Sequence, residues 1–64
     1  MKTVELRLDI IHRMQADDTL LLSDGDNEAW IKFTQIPNFD DDWDSGQTVD
    51  AEIPDWLAAK VGWI

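Results

Sequence analysis

Fourteen Asp and Glu, five Lys and Arg, one His and no Cys leave this chain with carboxylates as nearly its whole chemical repertoire, and with a net charge of −9. Nucleophilic catalysis needs a nucleophile, a base within reach of it and a group that orients the base. His12 is the only imidazole, and no Ser stands in a sequence that builds a strained elbow. The three glycines are scattered and form no phosphate-cradling loop. Paired carboxylates do acid–base work only where a pocket pushes one pKa away from the other. A 64-residue chain has little room for such a pocket beside a core. The repertoire therefore predicts a protein that binds and does not catalyse, with no cofactor.

Two acidic stretches have alternating carboxylates, as the start of a calcium loop does. An EF-hand loop also needs Gly at its sixth position and Glu at its twelfth. Counting from Asp24, those positions hold Ala29 and Gln35, and counting from Asp40, Gly46 falls seventh and Ala51 twelfth. Both fail where the geometry matters, so no metal site is predicted. The carboxylates are better read as a binding surface: Asp17 and Asp18; Asp24, Asp26 and Glu28; Asp40, Asp41, Asp42 and Asp44 around Trp43; and Asp50 with Glu52. Residues two apart on a strand share a face about 6.6–6.8 Å from each other. A row of that sign and spacing imitates a phosphate backbone to a protein that grips nucleic acid with Lys and Arg. The same charge disfavours direct contact with nucleic acid or an anionic membrane. Trp43 has two readings, an aromatic anchor among the carboxylates or a cover folded back over the core.

The elements that must position these groups follow from periodicity. Over residues 3–14, Val4, Leu6, Leu8, Ile10 and Met14 share one parity and Thr3, Glu5, Arg7, Asp9 and Arg13 the other. A period of two is a half-buried strand, with His12 a partly buried filler near its end. Residues 15–18 read as a turn, and 19–23, with three consecutive Leu, as a central strand. Asp24-Gly25 marks a hairpin. Residues 28–33 form the next strand, with Trp30 opposite Ala29, Ile31 and Phe33; Ile36-Pro37-Asn38 ends it. Residues 39–46 are a loop with room for one helical turn, and 48–53 alternate again. A C-terminal helix comes last, with Pro54 in its first position, Asp55 in the first turn, Trp56, Leu57 and Val61 on its apolar face, and Lys60 in the last turn. Gly62 supplies a left-handed cap and Trp63 folds back. The predicted fold is one acidic domain over residues 1–64, mainly β, in the order β-β-β-loop-β-α. It is a small twisted antiparallel sheet or partial barrel with the helix plugging one face. The longest apolar run, Leu20 to Leu22, is far too short to span a membrane, and Met1-Lys2 leads straight into the alternating pattern, so a soluble chain is expected.

Trp30-Ile31, Ile36, an acidic stretch, and then Glu52-Ile53-Pro54-Asp55-Trp56-Leu57-Ala58-Ala59-Lys60 with Gly62 and Ile64 resemble small phage and prophage proteins. Those end in an E-I-P-x-W-L-A-x-x-x-G-L-I-like pattern after a W-(L/I)-P-K-S-Q-I-like strand. Here Lys32-Phe33-Thr34 replaces Pro-Lys-Ser, and Trp63 replaces Leu. The resemblance covers about half the chain and implies an origin, not an activity. In size and acidity the chain is also similar to DNA-mimic anti-CRISPR proteins. These resemblances imply an inhibitor in the cytoplasm of a bacterial host cell, bound to a basic nucleic-acid-binding protein or complex such as a CRISPR effector. A structural or regulatory phage accessory domain, acting by self-association or protein contacts through Trp30 or Trp63, is the alternative.

Overall fold

The computed structural model describes residues 2–64. It is mainly β: four strands, β1 (Thr3–Met14), β2 (Thr19–Ser23), β3 (Glu28–Lys32) and β4 (Thr48–Pro54), are followed by one helix, α1 (Asp55–Val61). They form one open antiparallel sheet in the order β3-β2-β1-β4. Single 3-10 turns come after β1 (Gln15–Asp17) and β3 (Phe33–Gln35). Among the described residues no helix is long and apolar enough to cross a membrane.

The long first strand is shared between two neighbours. Thr3 to Asp9 pair with Pro54 to Thr48 on one side, and Asp9 to Met14 pair with Ser23 to Thr19 on the other. One face of the sheet carries the core, with Leu8, Ile10, Leu20, Leu22, Ile31, Ala51 and Ile53 buried beneath Ile36, Leu57, Ala58 and Trp63. That arrangement stems from the alternation in each strand, which sends every second side chain inward.

The alternation of β1 breaks at Ile11. Ile10 pairs with Leu22 and His12 with Leu21, so Ile11 is an extra residue in the ladder, a β-bulge. The bulge reverses the parity of residues 12–14. His12 is exposed, not a partly buried filler, and its ring meets the Trp30 ring edge-on at 6.0 Å between centroids. Arg13 takes the inward parity and reaches over the aromatics at the rim of the core.

Three further expectations need correction. β3 stops at Lys32, not Phe33, because the chain enters a 3-10 turn at Phe33, closed by the Ile36 N–H on the Phe33 carbonyl (3.1 Å) and by the Gln35 side chain on the Lys32 N–H (3.2 Å). Pro37 plays no part in ending it. Pro54 closes β4 and stands just before α1, not in its first turn; the Asp55 N–H extends the ladder to the Lys2 carbonyl at 3.0 Å. Trp56 is 53% exposed, because the buried stripe runs through Leu57 and Ala58 with Val61 at its edge, and Trp56 lies about 100° around the helix from Leu57.

The end of the chain is fastened to the β2–β3 turn. Gly62 has φ +95°, the left-handed conformation, and its N–H and that of Trp63 both donate to the Ala58 carbonyl. The Trp63 indole N–H donates to the Asn27 carbonyl (2.9 Å) and the Asn27 amide returns a bond to the Gly62 carbonyl (3.2 Å). A Cβ on Gly62 would stand 2.9 Å from Asn27 Nδ2.

Candidate acidic interface

The carboxylates fall into three groups, fixed by which turn each occupies. The first group stands at the end of the sheet where β1 turns into β2. Asp17 lies in the 3-10 turn and Asp18 comes next in a left-handed conformation that Asp tolerates, φ +53°. Asp40, Asp41, Asp42 and Asp44 reach the same end on the β3–β4 connection. That connection folds as consecutive turns without a helix, with Phe39 N–H donating to Ile36, Trp43 to Asp40 and Gln47 to Asp44. Its closing residues run beside β1, where Ile10 exchanges backbone hydrogen bonds with Gly46 and Gln47, each 2.8 Å.

An aromatic pile capped by Arg13 holds this connection. Phe33 and Phe39 stack at 4.2 Å, and Trp43 meets Phe39 edge-on at 5.7 Å. The Arg13 guanidinium lies 5.0 Å from the Phe33 centroid and 5.5 Å from that of Phe39. It donates to the carbonyls of Asp41 (2.8 Å) and Trp43. Trp43 is half-buried against the core, so of its two readings the cover is the one its position matches. Two of the four carboxylates shape the backbone: Asp40 accepts the Asp42 N–H (2.9 Å) and Asp44 the Ser45 N–H (2.7 Å). Among the described residues, the carboxylates of Asp41 and Asp42 make no such bond, and both residues are exposed.

The second group lies at the opposite end, in the β2–β3 turn. The five residues of β2 separate the two ends by roughly 17 Å. Asp24 accepts the N–H groups of Asp26 (2.9 Å) and Asn27 (2.8 Å), and Ser23 Oγ accepts that of Gly25 (3.0 Å). Asp26 and Glu28 project from this turn and the start of β3. The Asn27 N–H first, and the Asp26 N–H after it, hold the Asp24 carboxyl below its ordinary value of 3.8. A pKa lowered by folding contributes stability that is full above 3.8 and is lost as pH falls through the lower folded value. Asp24→Asn is therefore expected to lower stability at neutral pH and to flatten the acid limb, its profile converging with that of the parent as pH falls well below about 4. Thermal melts of both proteins from neutral to strongly acidic pH check this, and parallel acid limbs would assign the acid sensitivity to other groups.

The third group lies on the sheet face turned away from the core. Asp50 pairs with Arg7 at 3.2 Å with both groups exposed, an ion pair worth little in water. Glu52 stands directly opposite Glu5, a like-charge pair that costs a few tenths of a kcal/mol or more, roughly. Asp9 accepts the Thr48 hydroxyl at 2.6 Å. The twelve residues singled out in the sequence thus make no single row. Glu28, Asp50 and Glu52 are on strands and the others are in turns and connections.

The residues that organise the first group were not visible as such. Arg13 reads as an outward strand residue until the bulge reverses it. Asn38 also carries a role without a sequence signal. Its side chain mimics a strand along β4, donating to the Asp50 carbonyl and accepting the Glu52 N–H, each 2.9 Å. No protein-family model, curated protein or solved structure matches the chain.

Proposed function

We propose that this chain is a phage-encoded acidic inhibitor that acts without catalysis in the cytoplasm of a bacterial host cell. It occupies a basic nucleic-acid-binding surface of a host defence complex, in the manner of anti-CRISPR proteins that imitate DNA. The observation that carries this reading is the convergence of Asp17, Asp18, Asp40, Asp41, Asp42 and Asp44 at one end, on backbone set in place by Arg13. Ordering the connection before binding lowers the conformational entropy lost in the complex. A net charge of −9 steers the chain toward a basic groove and away from phosphates. Lys32 and Arg13 are the cations nearest this end, and Arg13 spends its donors on carbonyls.

The test is a pull-down from bacterial lysate with the tagged chain, washed at low and then high salt, beside the double variant Asp41→Lys/Asp42→Lys. These two carboxylates accept no backbone hydrogen bond, so the variant should melt as the parent does. Asp40 and Asp44 are left alone because they shape the turn. The expected result is a nucleic-acid-binding complex that salt releases, recovered about tenfold less or worse by the double variant. A partner retained at high salt, or equal recovery by the variant, would overturn the reading.

A further inference from the structure

We infer that the free edge of β3 is a self-pairing surface, through which two copies of this chain join their sheets about a two-fold axis at Trp30. The two edges of the sheet differ. The Asn38 side chain occupies the outward backbone groups of β4 at Asp50 and Glu52. The phase of β3 is set by its flanks. Asp24 N–H donates to the Asn27 carbonyl (3.2 Å) and Phe33 N–H to that of Asp18 (2.8 Å). With the register between them, the pairs that exchange hydrogen bonds inside the hairpin are Leu22 with Ala29 and Leu20 with Ile31. The N–H and C=O groups of Glu28, Trp30 and Lys32 therefore point to the free edge. Among the described residues, only the Lys32 N–H is taken there, by Gln35. An uncovered edge of this kind is a template for another strand.

The sequence of β3 fits its own reverse. In an antiparallel pairing centred on Trp30, Trp30 meets Trp30 of the second copy, Ala29 meets Ile31, and Glu28 meets Lys32. The centre falls on a residue whose backbone groups face outward, so the two Trp30 residues exchange both hydrogen bonds. Each Glu28 N–H finds the Lys32 carbonyl opposite. The indoles, each 48% exposed in the single chain, come side by side on the outer face. Opposite charges face each other at both ends of the pairing, which selects this register over a shifted one. Such a contact is isologous and closes at two copies. A five-residue edge with one Trp is a small interface, so the pairing is weak and forms at high concentration.

This inference stands apart from the acidic-end reading. It needs no partner protein, and salt acts on it in the opposite sense: screening relieves the repulsion between two chains of charge −9. Sedimentation of the purified chain from micromolar to millimolar concentration tests it. The expected mass rises from 7.4 kDa toward twice that value, and rises earlier at moderate salt than at low salt. Glu28→Lys is expected to weaken pairing about tenfold even though it lowers the net negative charge, because two attractive cross-strand pairs become repulsive. The double reversal Glu28→Lys/Lys32→Glu restores the pairs and the original net charge, and should return to within about twofold of the parent. A single-chain mass throughout, or a Glu28→Lys variant that pairs as well as the parent, would overturn the inference.

Discussion

Trp63→Ala is expected to leave the chain largely unfolded at room temperature. Truncating a buried aromatic to Ala costs about 3–5 kcal/mol, the transfer term plus the cavity it leaves. A single core in a chain of this size supplies little more than about 3–5 kcal/mol in total. No disulfide reinforces it. Trp63 is 8% exposed and closes the core beside Leu57 and Ala58, and its indole is also the bond between the C-terminus and the β2–β3 turn. Trp63→Phe separates the two contributions. It keeps much of the apolar area but leaves the Asn27 carbonyl without its donor, a loss of roughly 1–2 kcal/mol. Urea unfolding monitored by far-ultraviolet circular dichroism gives both values. If Trp63→Ala retained a cooperative transition near that of the parent, the core would close without this residue, and α1 would owe its position to Leu57 and Ala58 alone.

The features the sequence displayed and those it concealed divide along a physical line. Period-two patterning identifies β1, β3 and β4 because each buries one face, and burial acts on every second residue; β2 is marked instead by its unbroken run of Leu20 to Leu22. Gly62 and Trp63 were legible as a helix stop because left-handed φ and a fold-back contact have local residue preferences. The bulge at Ile11 was not legible. One inserted residue disturbs the pattern only by placing Ile10 and Ile11 side by side, yet it turns His12 outward and Arg13 inward. The layout of the carboxylates was hidden for a different reason. Their spacing along the chain is local, while their grouping depends on the order of the strands. Antiparallel hairpins send successive turns to opposite ends, so Asp24 and Asp26 part from Asp17 and Asp18. The connection carrying Asp40 to Asp44 joins the latter pair only because β4 lies beside the first half of β1. Trp43 shows the same limit, since a neighbour 30 residues away in sequence, Arg13 on its carbonyl, takes part in deciding between anchor and cover.

Arg13 offers the test that separates order from charge. Arg13→Ala removes two charge-assisted bonds to the carbonyls of Asp41 and Trp43 and the cation over Phe33 and Phe39. Such bonds are worth about 1.5–3 kcal/mol each when fully formed, and a cation over an aromatic face about 0.5–1 kcal/mol at an exposed site. The contributions overlap and part of the site is wet, so a loss of about 2 kcal/mol is expected, concentrated in the connection. Amide exchange at Trp43 and Gln47 should accelerate about 30-fold, the equivalent of that loss, while the amides of β2 change less. Net charge moves the other way, from −9 to −10. If the acidic end acts by bulk charge, the variant binds a basic partner as well as the parent or better. If it acts by holding carboxylates in a fixed arrangement, the variant binds less well despite its extra negative charge, because the connection must be ordered at the moment of binding. Arg13→Lys sharpens the comparison. It keeps the charge but loses the planar guanidinium, whose Nη1 serves the Asp41 and Trp43 carbonyls while its Nε donates to the Gln15 side chain and its centre stays 5.0 Å from the Phe33 centroid. Its binding should fall close to that of Arg13→Ala if geometry governs, and close to the parent if charge does. The observed geometry favours the first outcome: the one cation inside the acidic end touches no carboxylate and is bonded to the backbone that presents them.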